Sequence, residues 1–315
     1  MSRTRVAVTG ASGFVGRWLM AHLQSLGVDA VPFFDNSGVG LEDAAAIRSI
    51  LATQKPDAIV HLAAVAAPAD ARKAPVAAFD TNVIGTLNLA SAILDIRPQA
   101  RLIFAGSSEA YGRSFNTIAA PLDETAPLEP QTLYGVTKAS ADMLLGQMAA
   151  DGLQVVRFRP FNHTGPGQSE SYVVPAFARQ IALIEAGRQE PVIEVGDLEA
   201  ERDFSDVRDI VRAYARAAMM NDPLPAGVAV NLASGMPRPI SDVLARLLKM
   251  SREPIEVRAD PMKLGPVGTR RAVGNVTRAS DLLDWRVEIP FEKTLQDVLE
   301  AVSYTHLTLP TTPYV

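Results

Sequence analysis

Tyr134 and Lys138 stand four residues apart in YGVTK, a spacing that puts a phenol and an ammonium on one face of any helix carrying them. A phenol of ordinary pKa, about 10, is a poor acid–base group at neutral pH; a neighbouring Lys⁺ favours the phenolate and makes it useful. The pair therefore predicts proton transfer at one reacting atom. Upstream, GSSEAYG (106–112) supplies Ser107, a hydroxyl able to hydrogen bond a reacting oxygen, with Ser108 beside it and Glu109 two positions on as a candidate general base. The plainer reading of Ser107 is a turn cap, and that of Glu109 a helix-start carboxylate. The sequence does not choose for Glu109.

A second constellation, VTGASGFVG (8–16), spaces Gly10, Gly13 and Gly16 at three-residue intervals between a β-branched run and an amphipathic stretch that begins near Phe14. In a strand–turn–helix, Gly10 makes the tight turn and Gly13 lets backbone N–H groups approach a pyrophosphate. Gly16 then lets the helix lie close to the strand. Ser12, Phe14 and Val15 complete this cofactor turn. Asp35, ending the second β-rich run, is placed to take the adenosine ribose hydroxyls, which favours NAD, and no arginine follows it for a 2′-phosphate. It reads almost as well as a loop aspartate before Asn36 and Gly38, so NAD and NADP both stay open.

The elements that must position these groups alternate. From residue 5 to about 160, short β-rich runs (Arg5–Val8, Val28–Phe34, Ala58–Leu62, Arg101–Ala105, Val155–Phe158) are separated by Ala/Leu-rich stretches of helical period. Such βαβ units wind into a parallel sheet covered on both faces, which accounts for strands that are almost wholly apolar. The expected fold is α/β, a Rossmann-like doubly wound parallel sheet over 1–160. The expected cap is smaller, spans mainly 161–302 and includes the helix Ile240–Lys249, with segments near 204–234 returning to the sheet. Ligands of such sheets bind outside the carboxyl ends of the strands, so Ser107, just past the fourth strand, faces the same crevice as the glycine turn. The tail 303–315 carries no Asp, Glu, Lys or Arg and reads as foreign to the rest or disordered.

Composition narrows the chemistry. With no cysteine, neither a disulfide framework nor a thiolate metal site is available, and His22, His61, His163 and His306 show no ligand spacing, so no metal is expected. A net charge of −5 argues against a nucleic-acid surface, and the N-terminal run shows no targeting or membrane-spanning segment; a cytoplasmic chain is the expectation. Arginines do gather in the second half, where they suit a small polyanion; Arg208, Arg212 and Arg216, at helical spacing, read instead as surface charges paired with acids.

TGASGFVG, GSSEAYG and YGVTK, joined by HLAA (61–64) and NVIGT (82–86), resemble the extended short-chain dehydrogenases/reductases. The resemblance implies a Ser107, Tyr134 and Lys138 triad in which Lys138 also holds the nicotinamide ribose of NADP or NAD. It places Leu62, Ala63 and Ala64 beside the cofactor and makes His61 and Asn82 supports. It also implies a homodimer paired through the helices near 79–96 and 132–150. RFRPFNHTGPGQ (157–168), SYVVPAFARQIA and VGDLEAERDFSDVRDIVRAY (195–214) resemble sugar-nucleotide enzymes, most of all reductases of GDP-4-keto-6-deoxy-D-mannose. That implies a GDP-sugar met by Ser108, Glu109, Asn162, Arg202 and the Arg271 of GTRRAVGN. The carboxylate of Glu109, two positions after Ser107, is what 4,6-dehydratases carry, so a dehydratase or 4-epimerase remains the alternative. A non-catalytic dinucleotide sensor is more remote, since Ser107, Tyr134 and Lys138 are all intact.

Overall fold

The computed structural model describes residues 4–34, 40–260 and 269–307, with side chains to Tyr304. Its main sheet has six parallel strands in the order β2-β1-β3-β4-β5-β9, namely Asp29–Pro32, Arg5–Thr9, Ala58–His61, Arg101–Ala105, Val155–Pro160 and Ala229–Leu232. Every residue of β3 and β9 is buried, as strands roofed on both faces must be. One roof is α1 (Phe14–Ser25) with α9 (Val207–Met219), which bury Leu19, Leu23, Ile210, Val211 and Tyr214 against the sheet. The other is α2 (Ala44–Gln54), α5 (Gly85–Ile96) and α7 (Leu133–Met148), which bury Ile47, Leu51, Leu89, Ile93 and Leu145. Each such side chain contributes about 1.5–3 kcal/mol on transfer from water.

Between β3 and α5 run two short helices, α3 (Pro68–Lys73) and α4 (Pro75–Phe79), then a π-helical turn over Asp80–Ile84 that the helical period of the sequence does not reveal. Short α6 (Ser114–Thr117) follows β4. Past β5 the chain builds the cap around β8 (Glu201–Asp206), which pairs with β6 (Asn162–Thr164), β10 (Pro237–Pro239) and β12 (Arg271–Ala272). A second ribbon joins β7 (Val192–Val195) to β11 (Glu256–Ala259). Helices α8 (Val173–Glu185), α10 (Ile240–Met250) and α12 (Phe291–Leu307) close a separate core of Val174, Phe177, Ile181, Val243, Leu247, Leu295 and Val298.

The returning segment is α9 with β9. Helix α11 (Thr277–Leu283) and Trp285 also join the sheet-domain core, Trp285 donating its indole N–H to the Asp209 carbonyl at 2.8 Å. This second return is not visible in the alternation of the sequence. Helix α12 runs on to Leu307, into the segment set apart above as a tail.

Beneath α7 lies a buried polar cluster. Asp142 accepts from Arg157 at 2.6 Å and takes a two-pronged contact from Arg159, at 2.9 and 3.0 Å. Arg159 donates to Tyr111 Oη at 3.0 Å, and Tyr111 donates to Asn231 on β9 at 2.7 Å. Glu124 accepts from the Asn231 N–H at 2.7 Å and pairs with Arg278 at 3.4 Å. The cluster ties α7, strands β5 and β9 and the loops beneath the cap into one unit.

Candidate active site

Strand order reverses at β1, whose neighbours β2 and β3 lie on opposite sides, and a crevice opens there beyond the carboxyl ends of the strands. Gly10 holds φ +68, and a Cβ on it would come within 2.9 Å of the Ala63 nitrogen. A Cβ on Gly16 would sit 2.1 Å from the Gly10 carbonyl oxygen, so only glycine lets α1 start this close to the turn. Gly13 differs: its Cβ would meet only the Gly10 oxygen, at 3.2 Å. Gly13 begins α1 with no capping side chain and no acid in the first turn. The N–H groups and positive end of the helix are thus left for a ligand anion, and the residues present fit a dinucleotide pyrophosphate. Gly13→Val keeps the turn but fills this cradle; it should abolish NAD(P)H binding in a fluorescence titration while the melting temperature holds. Unchanged affinity would refute the cradle.

Behind the turn, hydrogen bonds fix one tautomer of His61. Thr86 Oγ1 donates to the Asn82 carbonyl at 2.7 Å, so it accepts from His61 Nε2 at 3.0 Å. His61 Nδ1 then accepts from Thr9 Oγ1 at 2.8 Å, and that oxygen accepts the N–H groups of Leu62 and Ala63 at 3.1 Å. Asn82 accepts from Val65 N–H at 2.8 Å and donates to Thr137 on α7 at 3.0 Å. The two residues join the glycine turn, the end of β3 and α7. Burial, with the Lys138 charge adding to it, holds His61 neutral and brings its pKa down to about 3. The folded value lies below the unfolded one, so this contribution to stability is complete above pH 6.5 and is lost as the pH falls toward 3, about 2 kcal/mol by pH 5. His61→Gln should be less stable than the parent at pH 7.5 yet lose less between pH 6.5 and 5 in urea titrations. Parallel pH profiles would contradict this.

The crevice encloses about 390 Å³ and is lined on the turn side by Gly10, Gly13, Phe14, Val15, Gly16 and Leu62–Ala64. Its far wall holds Ser107, Ser108, Glu109, Tyr134 and Lys138, and its cap side Asn162, His163, Gln168 and Tyr172. Ser12 is exposed in the turn, its carbonyl taken by Arg17 at 2.8 Å. Asp35 lies outside the described residues. The HTGPGQ loop docks on α1 through Trp18, which donates to the Pro166 carbonyl at 3.0 Å, and through Phe14, stacked on His163.

Within the crevice, Lys138 Nζ donates to the Ala105 carbonyl at 2.8 Å, over the Phe104 ring, and burial brings its pKa down to about 8. The Ser107 hydroxyl lies beside the Tyr134 phenol and also accepts from the Glu109 N–H at 3.1 Å. The expected pull of Lys138 on the phenol is not how this arrangement works. Burial raises the Tyr134 pKa, the Ser107 hydroxyl opposes it, and the Lys138 ammonium sits 6.0 Å from the ring centroid with its bond directed to Ala105. Glu109 accepts from Thr132 Oγ1 at 2.8 Å, and the same oxygen caps α7 by accepting from Gly135 at 2.9 Å. Thr132 was open to sequence reasoning as a helix-start threonine; its partner was not.

The arginines divide. Arg202 is half-buried and, among the described residues, has no ion pair; it gives one hydrogen bond, to the Glu201 carbonyl at 2.9 Å. Burial lowers its pKa, while Glu109 and Asp197 oppose that shift. Arg271 instead pairs with Glu201 at 3.2 Å and donates to the Ala119 carbonyl. Arg208, Arg212 and Arg216 pair with Asp206 and Asp297, Asp209 and Glu288, and Asp284 respectively.

Comparison with known proteins agrees with this architecture. Residues 6–233 match the NAD dependent epimerase/dehydratase family. The GDP-6-deoxy-D-mannose reductase of Pseudomonas aeruginosa is 32% identical over 94% of this chain and 96% of its own length. A UDP-glucose 4-epimerase of Rhizobium leguminosarum bv. trifolii is 29% identical over 90% of this chain and 93% of its own. The solved structure of RMD from Pseudomonas aeruginosa complexed with NADPH superposes with a TM-score of 0.87 at 30% identity, covering 96% of this chain and 99% of that one. A family match over most of the sequence and a fold shared along nearly all of it make this chain a member of the NAD dependent epimerase/dehydratase family, enzymes of the extended short-chain dehydrogenase/reductase type that work with a nicotinamide cofactor.

Proposed function

We propose that this enzyme reduces the C4 ketone of GDP-4-keto-6-deoxy-D-mannose with NADPH or NADH and yields GDP-D-rhamnose. The observation that carries the reading is the near full-length likeness to a GDP-6-deoxy-D-mannose reductase, at 32% identity. Ser107, Tyr134 and Lys138 on one wall of the crevice give it a chemical basis.

When bound, the reduced nicotinamide supplies the hydride for C4. Tyr134 holds the proton for the C4 oxygen, and Ser107, beside the same phenol, steadies that oxygen as negative charge grows on it. Lys138, fixed to β4 through Ala105, holds its charge behind the phenol. Hydride and proton together convert the ketone to an alcohol, and water restores the proton to Tyr134. Arg202, which has no ion pair among the described residues, suits the diphosphate, and Asn162 the sugar side of the crevice. Arg271, whose Nε pairs with Glu201, keeps further N–H groups for the diphosphate.

One observation favours a second reading. Glu109 faces the crevice beside Tyr134, where a 4,6-dehydratase would place its base. The readings separate on mixing with the purified keto sugar: a reductase consumes one NADPH or NADH per sugar and none with GDP-mannose. Conversion of GDP-mannose without net consumption would establish the dehydratase. We further propose a homodimer paired through the helices near 79–96 and 132–150, supported by the exposed apolar residues Ile84 and Met143 there, and a cytoplasmic location.

A further inference from the structure

Tyr172 belongs to no part of the chemistry described so far, yet it shares a cavity with all of it. It immediately precedes α8, and its backbone is fixed on both sides. Its N–H donates to the Ser169 carbonyl at 3.1 Å, and its own carbonyl accepts from Ala176 at 2.9 Å. The side chain leaves the cap and lines the crevice opposite Ser107, Tyr134 and Lys138, 37% exposed. Burial raises the phenol pKa, and the nearby carboxylates of Asp70 on α3 and Glu109 raise it further; Tyr172 in turn acts on Tyr134. The phenol thus faces the same crevice as Glu109 and Tyr134, and among the described residues its hydroxyl has no hydrogen-bond partner.

An aromatic ring with an unsatisfied hydroxyl, held by the cap over a proton donor, suits a hexose, whose C–H face packs on a ring and whose hydroxyls take hydrogen bonds. We propose that Tyr172 is the cap residue that grips the hexose of the nucleotide sugar. This rests on the nucleotide-sugar reading above but not on the direction of the reaction.

The test compares calorimetric affinities for GDP-mannose against GDP, and for UDP-glucose against UDP, in the parent, Tyr172→Phe and Tyr172→Ala proteins. For whichever base the parent accepts, the sugar should add affinity. Tyr172→Phe should shrink that gain about 2- to 10-fold and Tyr172→Ala more, with free-nucleotide and NADPH affinities unchanged. In turnover, Tyr172→Phe should raise KM with kcat preserved, the signature of lost uniform binding. An undiminished sugar gain in both variants overturns the proposal, as does an equal loss of free-nucleotide and NADPH affinity, which marks a purely structural residue. A parent that binds neither pair removes the nucleotide-sugar reading and this proposal together. A parent that binds a pair but does not reduce the keto sugar removes only the reductase reading and still tests Tyr172.

Discussion

Tyr134→Phe should lower kcat about 10²- to 10⁴-fold while NADPH affinity changes little. The substitution removes one oxygen from the crevice wall and keeps the ring that packs beside Lys138. The glycine turn that receives the cofactor is built from other elements, and the Ser107 hydroxyl keeps its contact with the Glu109 N–H. What is lost is the proton donor itself, so the effect should fall on kcat and kcat/KM alike. Turnover within tenfold of the parent would remove Tyr134 from the chemistry and leave the phenol as a packing group.

Asp142→Ala should cost about 3–5 kcal/mol of stability. The side chain of Asp142 is 1% exposed and those of its partners Arg159 and Arg157 are 5% and 17% exposed. Assembling such a cluster contributes little net stability, because desolvation offsets most of the attraction. Removing only the acid is different, since it leaves two guanidinium groups buried without a counter-charge. The exposed pair Arg48–Asp95 is the control: Asp95→Ala should cost at most about 1 kcal/mol. Equal losses in the two variants on chemical denaturation would mean that water reaches the cluster and that burial does not set its energetics.

The parts of this enzyme that could be read from the sequence are those in which local spacing and burial agree. The glycine turn is local, and its strand and helix follow immediately. The YxxxK spacing holds on any helix, and the central strands, covered on both faces, carry an unbroken apolar signature. What could not be read depends on partners distant in sequence. The register that sets Arg271 beside Glu201 joins β12 to β8 across the cap, and the register is not written in either strand. The contact of Thr132 with Glu109 joins two loops, and the orientation of Tyr172 depends on how α8 meets the sheet domain. The balance around Tyr134 likewise depends on partners distant in sequence. Residue types announce a charge, but only the fold shows that the Lys138 ammonium is committed to Ala105 and that burial dominates the phenol.

The central claim is that hydride from an added cofactor ends on C4 of the sugar. NADPH or NADH deuterated at the transferred position of C4 of the nicotinamide, mixed with GDP-4-keto-6-deoxy-D-mannose and the enzyme, tests it by NMR of the product. The account predicts one deuterium at C4 of the new alcohol for each cofactor oxidised. A converted sugar free of deuterium, with the added cofactor still reduced, would contradict it and show that hydride is taken from the sugar and returned within the crevice.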